Sequence, residues 1–306
     1  MTSRSLSALL LSITLHGVIV ALLLAAALMH ASWNALLKAD RSDRLATFGV
    51  IMTTGTVMGL VAVPFLPWIH PGAWKFLALS VIIHVAYYTF LLKAYSYGDL
   101  SHTYPIARGL GPLLVALVSG QLIGEHLRVQ DILGVLLLSG GLVALALPLK
   151  SATPRTEGRH GLATLFAVLT GITIAAYIIA DGFGVRAAGP TFEHRIAYIA
   201  WLCVLEGPWL LVLAIALRPQ TVWSHLRRTW WRGVIGGTIA NVGYGIAIYA
   251  LVLGPMAHVA ALRETSVLFG ALMGTLLLGE PFGLRRVAAA GVIVTGLVMM
   301  NGPRFM

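Results

Sequence analysis

Ten stretches of predominantly apolar residues follow one another along this chain, separated by short charged or Pro/Gly-containing breaks. Crossing a hydrocarbon core of about 30 Å at about 1.5 Å per residue takes roughly 20 residues of helix, so each stretch predicts one transmembrane helix. The predicted spans are 17–37, 45–67, 75–97, 102–123, 129–148, 161–180, 195–217, 233–253, 256–278 and 286–301. Only 149–160, 181–194 and 218–232 are connections of any length, and none can hold a soluble domain. Composition agrees: 10% of the residues are charged and the mean hydropathy is +0.87, whereas a water-soluble domain carries roughly 25% charged residues. The solvent for most of the chain is therefore lipid.

The net charge of +10 sits in short clusters between the apolar runs, such as Lys38, Arg41 and Arg44, or Arg227, Arg228 and Arg232. That placement suits lipid headgroups and not nucleic acid. The stretch Thr221 to Trp231, with Trp223, Trp230 and Trp231, reads as an interfacial segment. Cys203 stands alone in an apolar run and is read as a packing residue, which leaves no disulfide framework and no cysteine metal site. The first apolar run, from Leu6 to Leu37, is too long for one crossing. Residues 1–16 are read as an N-terminal extension; a cleaved signal peptide is the competing reading, disfavoured because the run continues past Ala27 without a charged break.

The chain repeats itself. Tyr88, Ala94, Gly98 and His102 recur 156 positions later as Tyr244, Ala250, Gly254 and His258. After one deletion, Arg108, Gly124, Glu125, Gly141 and Leu142 recur at a spacing of 155 as Arg263, Gly279, Glu280, Gly296 and Leu297. Five spans per half is an odd number, so the second half enters the membrane upside down relative to the first. The expected fold is an all-α integral membrane protein of ten transmembrane helices in two inverted five-helix repeats, 17–148 and 161–302, joined by the linker 149–160. Such a pair of halves can expose a central site to either side in turn.

Ionisable and polar residues inside spans mark the candidate site, because a charge at helix depth costs about 2.5–3.5 kcal/mol on insertion scales. Arg108 and Arg263 occupy matching places in the two halves and could clamp a carboxylate or phosphonate, or else pair within the bundle. His30 and Asn34 share a helix face, with Trp33 beside them. His84 and Tyr88 repeat that spacing in the third span; Asn241 and Tyr244 occupy the related eighth, and Tyr177 lies in the sixth. Glu206, followed by Gly207 and Pro208, sits mid-span, where a carboxyl group can carry a proton. Asp99 and Asp181 read as helix-end features. Glu125 and Glu280, each after a glycine, read as helix terminators that meet nearby Arg128, Arg285 or Arg286. No nucleophile elbow, zinc-protease motif, cysteine pair or phosphate loop is present, so no enzymatic activity, metal or cofactor is expected.

The run His30-Ala-Ser-Trp-Asn-Ala-Leu-Leu-Lys38 resembles the first helix of EamA-like transporters of the drug/metabolite transporter superfamily. So do Tyr104-Pro-Ile-Ala-Arg-Gly-Leu-Gly-Pro112, Gly124-Glu125, Ala261-Leu-Arg-Glu-Thr-Ser266 and Gly279-Glu280. The resemblance covers nearly all of the chain from about residue 17. It adds Tyr104 to the candidate substrate-binding residues and implies a bacterial inner membrane, a central pocket and both termini in the cytoplasm. Charge placement alone favours termini outside. The expected function is secondary active transport of a small polar metabolite, an amino acid or organic anion, driven by protons or exchange. Efflux of hydrophobic cations through Glu206 is the alternative, and an intramembrane enzyme or structural subunit a third. The expected partners are a small-molecule substrate and membrane lipid, no nucleic acid, with the protein a monomer or homodimer.

Overall fold

The computed structural model describes residues 3–39, 44–98, 100–146, 154–278 and 283–301, and the described residues contain helices and no strands. Five helices precede the mid-chain linker: α1 (Ser3–Ala39), α2 (Arg44–Ala62), α3 (Pro71–Tyr97), α4 (Leu100–Ile123) and α5 (Val129–Ala146). After it come α6 (Pro154–Ala187), α7 (Phe192–Glu206), α8 (Pro208–Leu217), α9 (Pro219–Leu253), α10 (Met256–Arg263), α11 (Thr265–Leu278) and α12 (Leu284–Asn301). Among the described residues, seven helical segments are long and apolar enough to cross a membrane: Gly17–Leu36, Leu45–Phe65, Pro71–Tyr97, His102–Leu122, His160–Ala187, Phe192–Leu217 and Trp230–Leu253. Val129–Leu145 and Arg286–Met300 are shorter apolar helices.

Several boundaries depart from the sequence reading, each for a local reason. The first apolar run is one continuous helix, α1. The interfacial stretch 221–231 is helical too and runs straight on into the span of α9, with Trp223 and Trp230 exposed. Pro208 divides α7 from α8 because it has no N–H to give, yet Gly207 keeps helical angles (φ −69°, ψ −39°), so the segment crosses as one. The expected ninth span is broken at Glu264, where the chain tightens into a turn that holds Glu264 N on Ala261 O at 3.0 Å. Asp181 lies inside α6, six residues before its end, and not at a helix terminus. Asp99 and Glu280 lie outside the described residues.

The outside of the bundle is apolar, and its largely apolar interior holds a minority of polar and ionisable residues. Phe65, Trp68, Ile82, Leu117 and Leu276 are exposed, while Ser80, His84, Arg108, Asp181 and Glu264 are buried. The directions of the helices follow from their contacts. Thr56 Oγ1 donates to Cys203 O at 3.1 Å, while Gly49 lies against Leu211 and Gly59 against Ala200. Thus α2 runs antiparallel to α7–α8. Likewise Gly134 meets Gly296 while Gly141 meets Ala289 and Ile293, so α5 runs antiparallel to α12. By contrast His102 meets Thr164 and Gly111 meets Ile174, so α4 and α6 run parallel.

The α5–α12 crossing is a backbone-to-backbone contact. A methyl on Gly134 would stand 2.6 Å from Gly296 O, whereas one on Gly140 of the same helix meets nothing within 4 Å. Gly→Ala gains up to about 1 kcal/mol of helix propensity, but overpacking costs about 1–3 kcal/mol. Gly134→Ala is therefore expected to lower the melting temperature of the purified protein and Gly140→Ala to leave it level or raise it. Equal behaviour of the two variants would refute the close crossing.

Polar contacts close one end of the bundle. His70 N donates to Ala188 O at 2.9 Å, and His258 Nε2 lies 3.0 Å from Met300 O. Glu125 does not meet its sequence neighbours as expected. Its two oxygens accept from Met256 N at 2.9 and 3.1 Å, capping α10. Arg186 approaches Glu125 at 3.6 Å and donates to Leu251 O and Gly254 O at the end of α9. One carboxylate and one guanidinium thus strap the α9–α10 break to α4 and α6.

Candidate functional site

A cavity lies in the middle of the bundle, with about 620 Å³ of atom-free space when the open solvent at its mouth is included. Helix α1 presents His30 and Trp33 to it; α2, Phe48 and Met52; α3, His84, Tyr87 and Tyr88; α6, Tyr177. From α7, α9 and α10 come Cys203, Glu206, Asn241, Tyr244 and Arg263. Trp33, Phe48 and Tyr88 lie on the halves of their helices away from the strapped end, so the space extends from the middle toward the other end.

Aromatic rings give the cavity its walls. Trp33 stacks on Phe48 (5.8 Å between centroids), which meets Tyr88 edge-on at 5.6 Å. His84 stacks on Tyr177 at 4.3 Å. Such contacts fix ring planes with little rotamer freedom, which suits a preformed site.

A carboxyl group and a guanidinium face this space. Glu206 accepts a hydrogen bond from the Tyr88 hydroxyl, and His84 Nε2 lies 3.7 Å from the same oxygen. Arg263 is half-buried, stands over the Tyr244 ring at 5.2 Å, and makes no ion pair among the described residues. It also borders a second, much smaller cavity with His30, Arg108 and Tyr244.

Arg108, its counterpart in the other half, is differently placed. It is buried, with Nε 2.8 Å from Glu264 Oε2 and Nη2 donating to Ser266 Oγ at 3.1 Å. The Nε–H is not aligned on the Glu264 oxygen, so that contact is an ion pair and not a directional hydrogen bond. A guanidinium already neutralised in this way does not form a symmetric clamp with Arg263. The matching positions took different roles because the glutamate that follows Arg263 has no equivalent after Arg108, where Gly109 stands.

Three other candidate residues turn away from the main cavity or serve the helices. Asn34 Nδ2 donates to His30 O at 2.8 Å within its own helix. Tyr104 lines neither cavity; Arg108 stands 6.0 Å from its ring. Asn241 reaches the cavity, but its amide donates to Ile51 O and Gly237 O and ties α9 to α2. His30, Trp33, His84, Tyr88, Tyr177, Glu206, Tyr244 and Arg263 all face the space.

Residues 17–147 and again 161–302 match the EamA-like transporter family. The chain belongs to that family. It is therefore a multi-pass membrane transporter of the drug/metabolite transporter superfamily, whose members move solutes and are not enzymes. Uncharacterized protein PA1977 of Pseudomonas aeruginosa is 27% identical over 247 residues, 76% of this chain and 74% of that protein. The Arabidopsis thaliana WAT1-related protein At3g02690, chloroplastic, is 23% identical over 197 residues, 63% of this chain and 46% of that protein. One solved crystal structure shares the fold with a TM-score of 0.69 over 93% of this chain and 95% of its own, at 18% identity.

Two further polar residues at or beside the cavity of this EamA protein carry a sequence signal. Tyr87 shares the helix face of His84 and Tyr88, and Asp181 follows Tyr177 by four positions. Asp181 accepts from Tyr198 at 3.2 Å and Tyr244 at 2.7 Å. Phe48 and Met52 had no such signal, since apolar residues in an apolar run look alike whichever way they face.

Proposed function

We propose that this EamA transporter is a secondary active carrier of a small anionic or zwitterionic metabolite, an amino acid or organic anion, across a bacterial inner membrane. The carrying observation is Arg263: a guanidinium with no carboxylate partner among the described residues, half-buried in an aromatic-walled cavity at mid-bundle. An unpaired charge at that depth is costly, and a solute carboxylate is the partner that offsets the cost bidentately. Glu206, on the far wall, offers a site for an ammonium group or a coupling proton. No cofactor is needed, and a monomer or homodimer suffices.

The antiparallel runs of α2 with α7–α8 and of α5 with α12 support the inverted-repeat reading, because each pair holds equivalent spans of the two halves. The parallel run of α4 and α6 fits ten successive crossings. In such an architecture the closed end opens as the other closes, and the strap of Glu125 and Arg186 is the contact to be broken. Cys203 is the only cysteine and lines the cavity, so it reports the event. In proteoliposomes of known orientation, maleimide is expected to reach Cys203 from the unstrapped side in the unaltered protein. Glu125→Gln with Arg186→Gln is expected to admit it from the strapped side several-fold faster. Unchanged labelling from that side would remove the strap from the mechanism.

A thermal-shift screen of purified protein against amino acids and organic anions, followed by counterflow of the stabilising compounds, tests the substrate class, since a ligand that binds only the folded state raises its melting temperature. Stabilisation by quaternary amines alone, abolished in Glu206→Gln, would establish cation efflux instead.

A further inference from the structure

The contacts around Tyr244 are all satisfied only with one proton beyond a neutral His84 imidazole and an ionised Asp181, and the Glu206 carboxyl lies 3.7 Å from His84 Nε2. His84 Nδ1 lies 2.9 Å from Ser80 O. The Ser80 hydroxyl lies 3.2 Å from the same nitrogen. A carbonyl can only accept and a hydroxyl can do either, so a hydrogen on Nδ1 is the assignment that satisfies both contacts, and Nε2 is left to face the cavity. Nε2 stands 3.0 Å from the Tyr244 hydroxyl, which stands 2.7 Å from Asp181 Oδ2. The hydroxyl has a single proton and two partners that both want it. If it donates to an ionised Asp181, Nε2 must itself be protonated to make the other bond. If it donates to Nε2, the Asp181 carboxyl must be protonated to donate to the hydroxyl oxygen. Both arrangements hold one proton beyond neutral imidazole plus carboxylate, and both satisfy every partner. They interconvert by moving one proton from Nε2 to the tyrosine oxygen and one from that oxygen to Oδ2, with no change of total charge.

We propose that His84, Tyr244 and Asp181 form a proton-binding site, in which one proton is shared between imidazole and carboxyl through the tyrosine hydroxyl. Helices α3, α9 and α6 each supply one member, so the site spans both halves and senses their relative position. The titratable and charged groups around it are His30 on α1, Tyr87 and Tyr88 on α3, Tyr177 on α6, Tyr198, Cys203 and Glu206 on α7, and Arg263 on α10. Tyr198 donates to Asp181 Oδ1 and leaves Oδ2 to the relay. Arg263 lies over the ring of Tyr244, so a solute anion arriving at Arg263 changes the field at the shared proton. Its purpose rests on the transport reading; its chemistry does not.

The test needs no solute. Proteoliposomes on a solid-supported membrane are stepped in pH, and the transient charge displaced by proton entry is recorded. Glu206→Gln, which removes the other cavity acid, is expected to keep a transient. Glu206→Gln with Asp181→Asn is expected to fall to the level of protein-free liposomes. Tyr244→Phe deletes two hydrogen bonds from the protonated site but one from the empty site. In the Glu206→Gln background its midpoint is expected about one pH unit lower. A transient that survives Asp181→Asn, one already lost in Glu206→Gln alone, or a midpoint unmoved by Tyr244→Phe overturns the proposal. The last comparison decides if Asp181→Asn does not fold. An intact transient in a protein that supports no counterflow would count against transport and leave the proton site standing.

Discussion

Glu264→Gln is expected to destabilise the protein by about 3–5 kcal/mol, the usual cost of leaving one member of a buried ion pair without its partner. Arg108 and Glu264 are 6% and 2% exposed, so little water is available to take over from the lost carboxylate. Glutamine fills the same volume, so the loss comes from charge and not from a cavity. The residual contacts of Arg108, to Ser266 Oγ and more weakly to Arg263 O at 3.5 Å, are neutral. Removing both charges together, as Arg108→Met with Glu264→Leu, is expected to recover most of the stability, since apolar replacement of a buried pair is often neutral or better. The melting temperature of detergent-purified protein gives the readout. A loss below about 1 kcal/mol in Glu264→Gln would mean that water reaches Arg108 and solvates it.

Arg263→Ala is expected to leave the fold in place and lower solute transport by at least about thirtyfold, the equivalent of about 2 kcal/mol of lost charge pairing. Its known contact within the protein is the face of Tyr244, and a cation over a ring contributes only about 0.5–2 kcal/mol. A structural role would therefore appear as a modest fall in melting temperature with transport preserved per folded molecule. A binding role appears as lost transport with the melting temperature nearly unchanged. Arg263→Lys keeps the charge but loses the planar fork, and is expected to fall between the two. Counterflow of the solute found by thermal shift, at matched protein levels, separates these outcomes. Normal transport by Arg263→Ala would end the case for an anion at that position.

The two variants together explain why equivalent positions in a duplicated chain need not do equivalent work. Arg108 and Arg263 look alike in the sequence, and the repeat invites a symmetric clamp. Glu264 breaks that symmetry. It sits one residue after Arg263, on a different face of the turn, and reaches across to Arg108 in the other half.

Sequence alone determined that this chain lives in lipid, that its helices come in two related sets, and that His30, His84, Tyr177, Glu206 and Tyr244 are out of place unless they face one another. Those conclusions rest on quantities local to each run: length, hydropathy, the scarcity of charge, and helical spacing. Tertiary structure decided the partners. It gave Glu264 to Arg108, the N-terminus of α10 to Glu125, and Tyr244 to both His84 and Asp181. It also admitted Phe48 and Met52 to the cavity, and kept Asn34 and Tyr104 out. The reason is physical: a helix fixes which of its own residues share a face. Which face meets which depends on close packing between distant runs, at contacts such as Gly134 on Gly296, where nearly identical apolar surfaces differ by a single methyl group.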